Sequence, residues 1–218
     1  MNDAPHASRP AASRFTLLLV AVAIAAAAAG IALSSWLSAP PPLPDNMYST
    51  VFPQGRETEA MRLVDHDGRP FTRERLRGKW TLMFFGFTHC PDVCPTALKL
   101  MQKIKKERPQ DMPLQVVFVS VDPRRDPPAR LRDYVRYFDP EFIGVTGKME
   151  DLIAFTHSMG VLFAYRDTGA GDGSYSVDHT AQIMLFDPDG LWRAVFSPPH
   201  EAGRITQTLK EIRAYVGE

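Results

Sequence analysis

Hydrophobic positions along this chain fall into two alternating patterns. Runs that are apolar at nearly every position, residues 80–87 and 114–121, predict strands that are buried on both faces of a sheet. Apolar residues at three- and four-residue spacing follow each run and predict an amphipathic helix there. These positions are Ala97, Leu100, Met101 and Ile104 after the first run, and Leu131, Tyr134, Val135 and Phe138 after the second. Buried strands joined by crossover helices are typical of an α/β fold with parallel strands.

Shorter segments extend the pattern over the rest of the chain. Residues 61–64 and 70–72 predict a hairpin whose turn contains Gly68 at a position of positive φ. Further strands are predicted at residues 142–145, 161–166, 180–186 and 191–196, and further helices at residues 152–159 and 205–216. The glycine-containing segment 167–176 connects two strands and does not lead from a strand into a helix. It therefore indicates a hairpin connection, and no nucleotide partner is expected.

The N-terminal region contains a long apolar segment, residues 15–37, without a charged side chain. As a helix this segment would be about 35 Å long, enough to span a bilayer. A cleaved signal peptide is the alternative, but the run is longer than a usual signal core and Trp36 stands where an interfacial aromatic residue belongs. We interpret residues 15–37 as an uncleaved single transmembrane anchor in contact with the lipid bilayer.

The flanking segments suggest an orientation for this anchor. Arg9 and Arg14 lie on its short side, so residues 1–14 are predicted to be a cytoplasmic tail. The four prolines after the anchor favour an extended linker over residues 38–51. Residues 52–218 are long enough for one globular domain. We expect a bacterial inner-membrane protein with this domain in the periplasm.

Charge and cysteine content limit the function classes. The chain has 25 basic and 25 acidic side chains, so its net charge of zero gives no indication of a nucleic-acid partner. Its two cysteines, Cys90 and Cys94, lie between the strand 80–87 and a helix that Pro95 is expected to open. A helix N-terminus favours the thiolate, which is the nucleophilic and metal-binding form. Reactive thiols are therefore expected, and two inert buried cysteines are the alternative.

Reactive cysteines at a strand-to-helix turn are typical of the thioredoxin-like α/β sandwich, a central mixed sheet flanked by helices. We expect this fold for the domain, with the single transmembrane helix in front of it. The spacing here is Cys-x-x-x-Cys, one residue longer than in redox thioredoxins. It suits a function other than, or in addition to, fast disulfide exchange.

Among the six histidines, His179 has the most informative position. In a thioredoxin-like fold, the junction that contains His179 lies beside the cysteine turn, whereas His89 is expected to point away from Cys90. Two thiolates and one imidazole favour Cu(I) and can also hold Cu(II), while structural zinc would need a fourth ligand. A structural role for a single histidine is the alternative.

Four motifs in order resemble the Sco/SenC family of membrane-anchored copper proteins. They are Thr88-His89-Cys90-Pro91-Asp92-Val93-Cys94-Pro95, Ser120-Val121-Asp122-Pro123-Arg124-Arg125-Asp126, Asp178-His179-Thr180 and Asp187-Pro188-Asp189-Gly190. The resemblance implies copper ligands at Cys90, Cys94 and His179. It also implies delivery of copper to the binuclear copper site of cytochrome c oxidase subunit II, with an upstream copper donor and a thiol reductant as partners.

A second function remains open at this stage. Cys90 and Cys94 would be catalytic if the protein were a thiol-disulfide oxidoreductase that reduces the cysteines of that same site, or a thiol peroxidase. A reductase has no chemical need for His179, so the sequence favours a copper-binding assembly factor without turnover of its own.

The charged segment after the second buried strand allows two interpretations. Asp122, Arg124, Arg125 and Asp126 could form a docking surface near the cysteines. They could equally form a solvated loop in which Asp122 caps a turn.

Overall fold

The computed structural model describes residues 14–37, 48–167, 169 and 174–217 of the 218-residue chain. The chain divides into two units, Met1–Pro41 and Pro42–Glu218. Most of the predicted tail and of the predicted linker, residues 1–13 and 38–47, lies outside the described residues.

The first unit contains one described helix, α1, at Arg14–Leu37. Its alanines and leucines are strong helix formers, and none of its residues is buried. An 18-residue window has a mean hydropathy of 2.5, so by length and composition α1 can cross a membrane. The predicted helical conformation is confirmed, and its insertion in a bilayer stays a prediction.

The second unit is built on an eight-stranded mixed sheet with the order β1-β10-β9-β4-β5-β6-β2-β3. The strands are β1 Ser49–Arg56, β2 Leu63–Asp65, β3 Pro70–Phe71, β4 Trp80–Gly86, β5 Leu114–Ser120, β6 Ile143–Thr146, β9 Ile183–Phe186 and β10 Trp192–Phe196. β4 pairs in parallel with β5 and antiparallel with β9. Every residue of β4 and β5 is buried, as their largely apolar sequences predict.

Four helices complete the second unit: α2 Val93–Glu107, α3 Pro128–Phe138, α4 Met149–Ser158 and α5 Ala202–Val216. The predicted apolar spacing places Ala97, Met101 and Ile104 in the core, and α2 contacts both α3 and α5. α2 begins two residues before Pro95, which therefore lies in its first turn, where proline is tolerated. The central mixed sheet flanked by helices is thus confirmed.

A separate two-stranded antiparallel sheet consists of β7, Phe163–Asp167, and β8, Tyr175–His179. We refer to it as the ligand hairpin. The predicted strand over residues 180–186 was wrong at its start, because the chain forms β8 up to His179 and enters the main sheet only at Ile183. Pairing of β8 with β7, with Phe163 opposite His179, separates β8 from β9.

The edge strand β1 was not predicted. It pairs antiparallel with β10 and packs the ring of Phe52 against Trp192 at 4.8 Å between centroids. The strand contains Pro53 and Gly55, and a proline within a sheet is tolerated at an edge strand. Its half-exposed positions also lack the hydrophobic pattern by which a strand is predicted. Residues 49–51, which the sequence analysis assigned to the linker, lie in this strand.

Candidate metal centre

Cys90 and Cys94 lie at the carboxyl end of β4, where the chain turns into α2. The Cys90 N–H donates to the Phe87 carbonyl at 3.2 Å and closes this turn. Cys94, in the first turn of α2, is fully buried, whereas Cys90 is only partly buried. The strand end therefore presents one thiol towards solvent and keeps the other in the core.

The structure brings the three predicted ligand side chains together. Cys90 Sγ, Cys94 Sγ and a ring nitrogen of His179 all lie within 4.8 Å of one another. Cys94 Sγ is 3.4 Å from His179 Nε2, and the Cys94 backbone N–H donates to Cys90 Sγ at 3.4 Å. Both cysteines are free thiols.

The imidazole of His179 is oriented by its own neighbours. Its Nδ1 donates to the Thr180 carbonyl at 3.2 Å, which leaves the lone pair of Nε2 on the side of the thiols. The ring packs edge-on against Phe84 and Phe87, each at 5.9 Å between centroids. A hydrogen bond to the second ring nitrogen is the usual way in which a protein fixes a metal-binding histidine.

The two thiols differ in their affinity for a proton. A hydrogen bond with the Cys94 thiol, together with the Cys94 backbone N–H, lowers the pKa of the Cys90 thiol despite partial burial. The same hydrogen bond, together with burial, raises the pKa of the Cys94 thiol. Of the two thiols, Cys90 is therefore the one that loses its proton more readily.

Asp126, in the loop after β5, supports the cysteine turn. Its carboxylate accepts from the Thr88 N–H at 2.8 Å, the Thr88 hydroxyl at 2.6 Å and the Ser120 hydroxyl at 2.6 Å. Asp126 is fully buried. It therefore joins the end of β5 to the loop after β4 at Thr88, which lies two residues before Cys90.

Asp122 is also fully buried, so its own side chain is neither solvated nor part of an exposed docking surface, whereas Arg124 in the same segment is exposed. Its carboxylate pairs with Arg125 and accepts from the Tyr175 hydroxyl. Both acids turn inwards because donors from the cysteine turn and the ligand hairpin meet there. Sequence reasoning missed this role. The available signal was the position of two acids directly after a strand buried on both faces.

The other histidines do not join the group. His89 is exposed, and its Nδ1 lies 3.4 Å from the Thr88 hydroxyl and 3.8 Å from Asp126 Oδ1. His66 accepts the Gly144 N–H, His157 lies in the last turn of α4, and His200 contacts the Ala181 carbonyl. His6 lies outside the described residues.

The donor set fits a soft metal ion of low coordination number. Two sulfurs and one imidazole are the ligands that suit Cu(I). In the described part of the chain, no further cysteine, histidine or carboxylate belongs to the group, so a closed four-ligand zinc site is not formed there.

Comparison with known proteins assigns this arrangement to a family. The family model for SCO1/SenC matches residues 53–214. A protein of Stutzerimonas stutzeri is 36% identical over 170 residues, which cover 77% of this chain and 82% of that protein. The mouse mitochondrial SCO2 homolog is 38% identical over 170 residues, 72% of this chain and 66% of its own length.

A solved structure gives the same assignment. The crystal structure of Arabidopsis thaliana ScoI with copper bound superposes with a TM-score of 0.66 at 34% identity, and the match covers 72% of this chain and 99% of that one. This likeness confirms the predicted thioredoxin-like sandwich. With four motifs in order and a family model that spans most of its length, the chain belongs to the SCO1/SenC family.

Proposed function

We propose that this protein is a membrane-anchored copper metallochaperone that delivers copper to the binuclear site of cytochrome c oxidase subunit II during oxidase assembly. The observation that carries the proposal is the convergence of Cys90, Cys94 and His179 within 4.8 Å. The bound copper of the similar Arabidopsis thaliana ScoI supports it.

The site has the properties that copper transfer requires. Copper is the cargo here, held by the two thiolates with His179 as third ligand. Cys90 is partly exposed and Cys94 is fully buried, so an acceptor thiolate would approach from the side of Cys90. Exchange of one ligand at a time then moves the ion to the acceptor without releasing it to water.

Reduction of the acceptor cysteines is the second candidate function. The Cys90 thiolate would attack the acceptor disulfide, and Cys94 would displace the second acceptor thiol from the mixed disulfide. Two electrons pass to the acceptor, and Cys90 and Cys94 become a disulfide. The lowered pKa of the Cys90 thiol, caused chiefly by the hydrogen bond from Cys94, favours this chemistry. It does not require His179, so the position of His179 favours delivery.

Transfer experiments separate the two functions. Copper-loaded protein is mixed with metal-free subunit II whose cysteines are either reduced or joined in a disulfide. Delivery predicts that copper is found on the reduced acceptor after the two proteins are separated, and that this transfer is lost in the His179→Ala variant. Copper-independent reduction of the disulfide, unaffected by His179→Ala, would instead establish the reductase and contradict delivery as the main function.

We also propose that α1 anchors the protein in a bacterial inner membrane with the globular unit in the periplasm. The support is the apolar length of α1 and the arginines before it. A reporter that is active only in the periplasm, fused after residue 218, is expected to be active and to sediment with membranes. Activity of a reporter that functions only in the cytoplasm would contradict the proposed orientation. A mature protein from which residues 1–37 have been cleaved, and which does not sediment with membranes, would contradict the anchor.

A further inference from the structure

The ligand hairpin presents His179 from an element that is separate from the sheet carrying the cysteines. β7 and β8 form their own two-stranded sheet, whereas Cys90 and Cys94 follow β4 of the eight-stranded sheet. The position of His179 relative to the thiols therefore depends on how the hairpin is held against the main sheet.

Tyr175, the first residue of β8, makes two hydrogen bonds between the hairpin and the loop after β5. Its hydroxyl donates to Asp122 Oδ1 at 2.9 Å, and its carbonyl accepts from Arg125 Nη1 at 2.8 Å. The Arg125 guanidinium also lies 3.7 Å from the centre of the Tyr175 ring. We call Asp122, Arg125 and Tyr175 the hairpin clamp.

The clamp favours one position of the hairpin because the carboxylate of Asp122 is buried and needs its partners. Asp122 is fully buried and pairs with Arg125 through Oδ2, while Tyr175 supplies the donor for Oδ1. A buried carboxylate that loses a partner is strongly destabilised, so the hairpin cannot move away without a free-energy cost. A second tyrosine of the hairpin, Tyr165, donates to the Val121 carbonyl at 2.6 Å and supports the same position.

The clamp also reaches the cysteine turn. The Arg125 guanidinium lies 5.6 Å from the centre of the Phe87 ring, and Phe87 packs edge-on against His179. Arg125 thus contacts the ring of Tyr175 on the hairpin and the ring of Phe87 three residues before Cys90. One side chain connects the two elements that carry the predicted ligands.

We propose that Asp122, Arg125 and Tyr175 are positioning residues that hold His179 in place for copper binding. The proposal rests on the proposed copper function and extends it, because it makes the third ligand dependent on a loop that does not touch the metal. Loss of the clamp leaves the two thiolates in place and weakens the contribution of His179 alone.

The test measures Cu(I) affinity by chelator competition, with the full chain in detergent micelles under reducing conditions. Tyr175→Phe removes one hydroxyl and keeps the ring beside Arg125. It is expected to lower affinity by about tenfold, the usual lower limit for loss of a supporting hydrogen bond. Arg166→Gln is the matched control, since Arg166 pairs with Asp178 on the exposed face of the same hairpin. It is expected to leave affinity unchanged.

The same substitution in the His179→Ala protein shows whether the loss of Cu(I) affinity depends on His179. In the His179→Ala protein, Tyr175→Phe is expected to cause no further loss, because the ligand that the clamp positions is absent. An equal loss in both backgrounds would show general damage and overturn the proposal, as would an unchanged affinity in the wild-type background.

Amide hydrogen exchange of the metal-free protein gives a readout that does not depend on copper. Faster exchange in β8 of Tyr175→Phe, with β5 unchanged, supports the clamp, and unchanged exchange in β8 overturns it. Absence of copper binding by the wild-type chain would refute the proposed function separately.

Discussion

Gly86, the last residue of β4, determines how closely Cys94 can pack against the sheet. A Cβ at this position would lie 2.6 Å from Cys94 Sγ and 2.9 Å from the Phe118 ring. We expect Gly86→Ala to displace the Cys94 thiol, to weaken Cu(I) binding and to lower the free energy of unfolding by about 1–3 kcal/mol. Chelator competition and denaturant unfolding measure the two effects.

Gly203→Ala is the control for this substitution. A Cβ at Gly203, in the first turn of α5, meets no atom within 4 Å. Copper affinity should be unchanged, and stability equal or higher. Wild-type affinity in Gly86→Ala would show that Cys94 has more room than the structure gives it.

His66 makes the stability of the globular unit depend on pH. Burial lowers the pKa of its imidazole, and Nδ1 accepts the Gly144 N–H at 2.9 Å, which requires the neutral ring. The unfolded chain therefore binds a proton more readily than the folded chain. Stability falls as pH decreases through about 6.5 towards the lowered folded value, and the full contribution is present above that window.

His66→Asn keeps an acceptor for the Gly144 N–H and does not titrate. We expect a smaller loss of unfolding free energy between pH 7.5 and 5.5 in this variant than in the wild type. His200, whose pKa burial also lowers, contributes equally to both proteins and cancels in the comparison. Identical pH dependence of the two proteins would exclude the role of His66.

Single residues were predictable from the sequence where their chemistry was rare. The two cysteines stood out because the chain has no others and they lie at a strand-to-helix turn, and His179 stood out by its position in the predicted fold. Asp122 and Asp126 did not, because aspartates after a strand are usually solvated. Only the fold shows that donors from two other elements converge on them.

Among the elements, the loops after β4 and β5 depend on one another through Asp126. Its replacement by alanine leaves the N–H and hydroxyl of Thr88 and the hydroxyl of Ser120 without their acceptor. Each buried unpaired group costs about 1–3 kcal/mol, so we expect Asp126→Ala to lower the free energy of unfolding by about 3 kcal/mol or more. Denaturant unfolding measures this change.

The exposed carboxylate of Asp111, paired with Arg213, provides the control. Asp111→Asn is expected to change stability little, because solvent screens such a pair. Asp126→Asn should lower the free energy of unfolding by less than Asp126→Ala and by more than Asp111→Asn. Its amide oxygen can still accept a hydrogen bond, but its amide nitrogen would face other donors. Equal stability of the alanine variant and the wild type would contradict the role of Asp126 in joining the loops.

Elements with a strong hydrophobic pattern were predicted, and those without one were not. β4, β5 and the helices after them follow from continuous or periodic apolar residues. β1 is a half-exposed edge strand with a proline, and β8 has mostly exposed or half-exposed positions, so neither carries that pattern. The pairing of β1 with β10 is a tertiary effect that local sequence does not encode, whereas the glycine-containing segment 167–176 did indicate the hairpin of β7 and β8.

In the whole molecule, the candidate site arises from the combination of a buried sheet and a separate hairpin. The sheet fixes two thiols at the end of β4, and the clamped hairpin adds an imidazole from a residue 85 positions away from Cys94. The sequence predicted the fold class from its hydrophobic pattern and its cysteine turn, and these three residues from their places in that fold, with which the family resemblance agrees. It could not supply their distances, because these depend on how the hairpin docks.

The most direct test of the central claim is the amount of Cu(I) bound per protein by the full chain in detergent micelles under reducing conditions. We expect one equivalent for the wild type and for the control His89→Ala, with marked loss in Cys90→Ser and His179→Ala. X-ray absorption of the loaded protein should show two sulfur ligands and one nitrogen ligand. Absence of tight copper binding, or binding that is indifferent to His179, would contradict the copper site and leave a thiol-disulfide reductase.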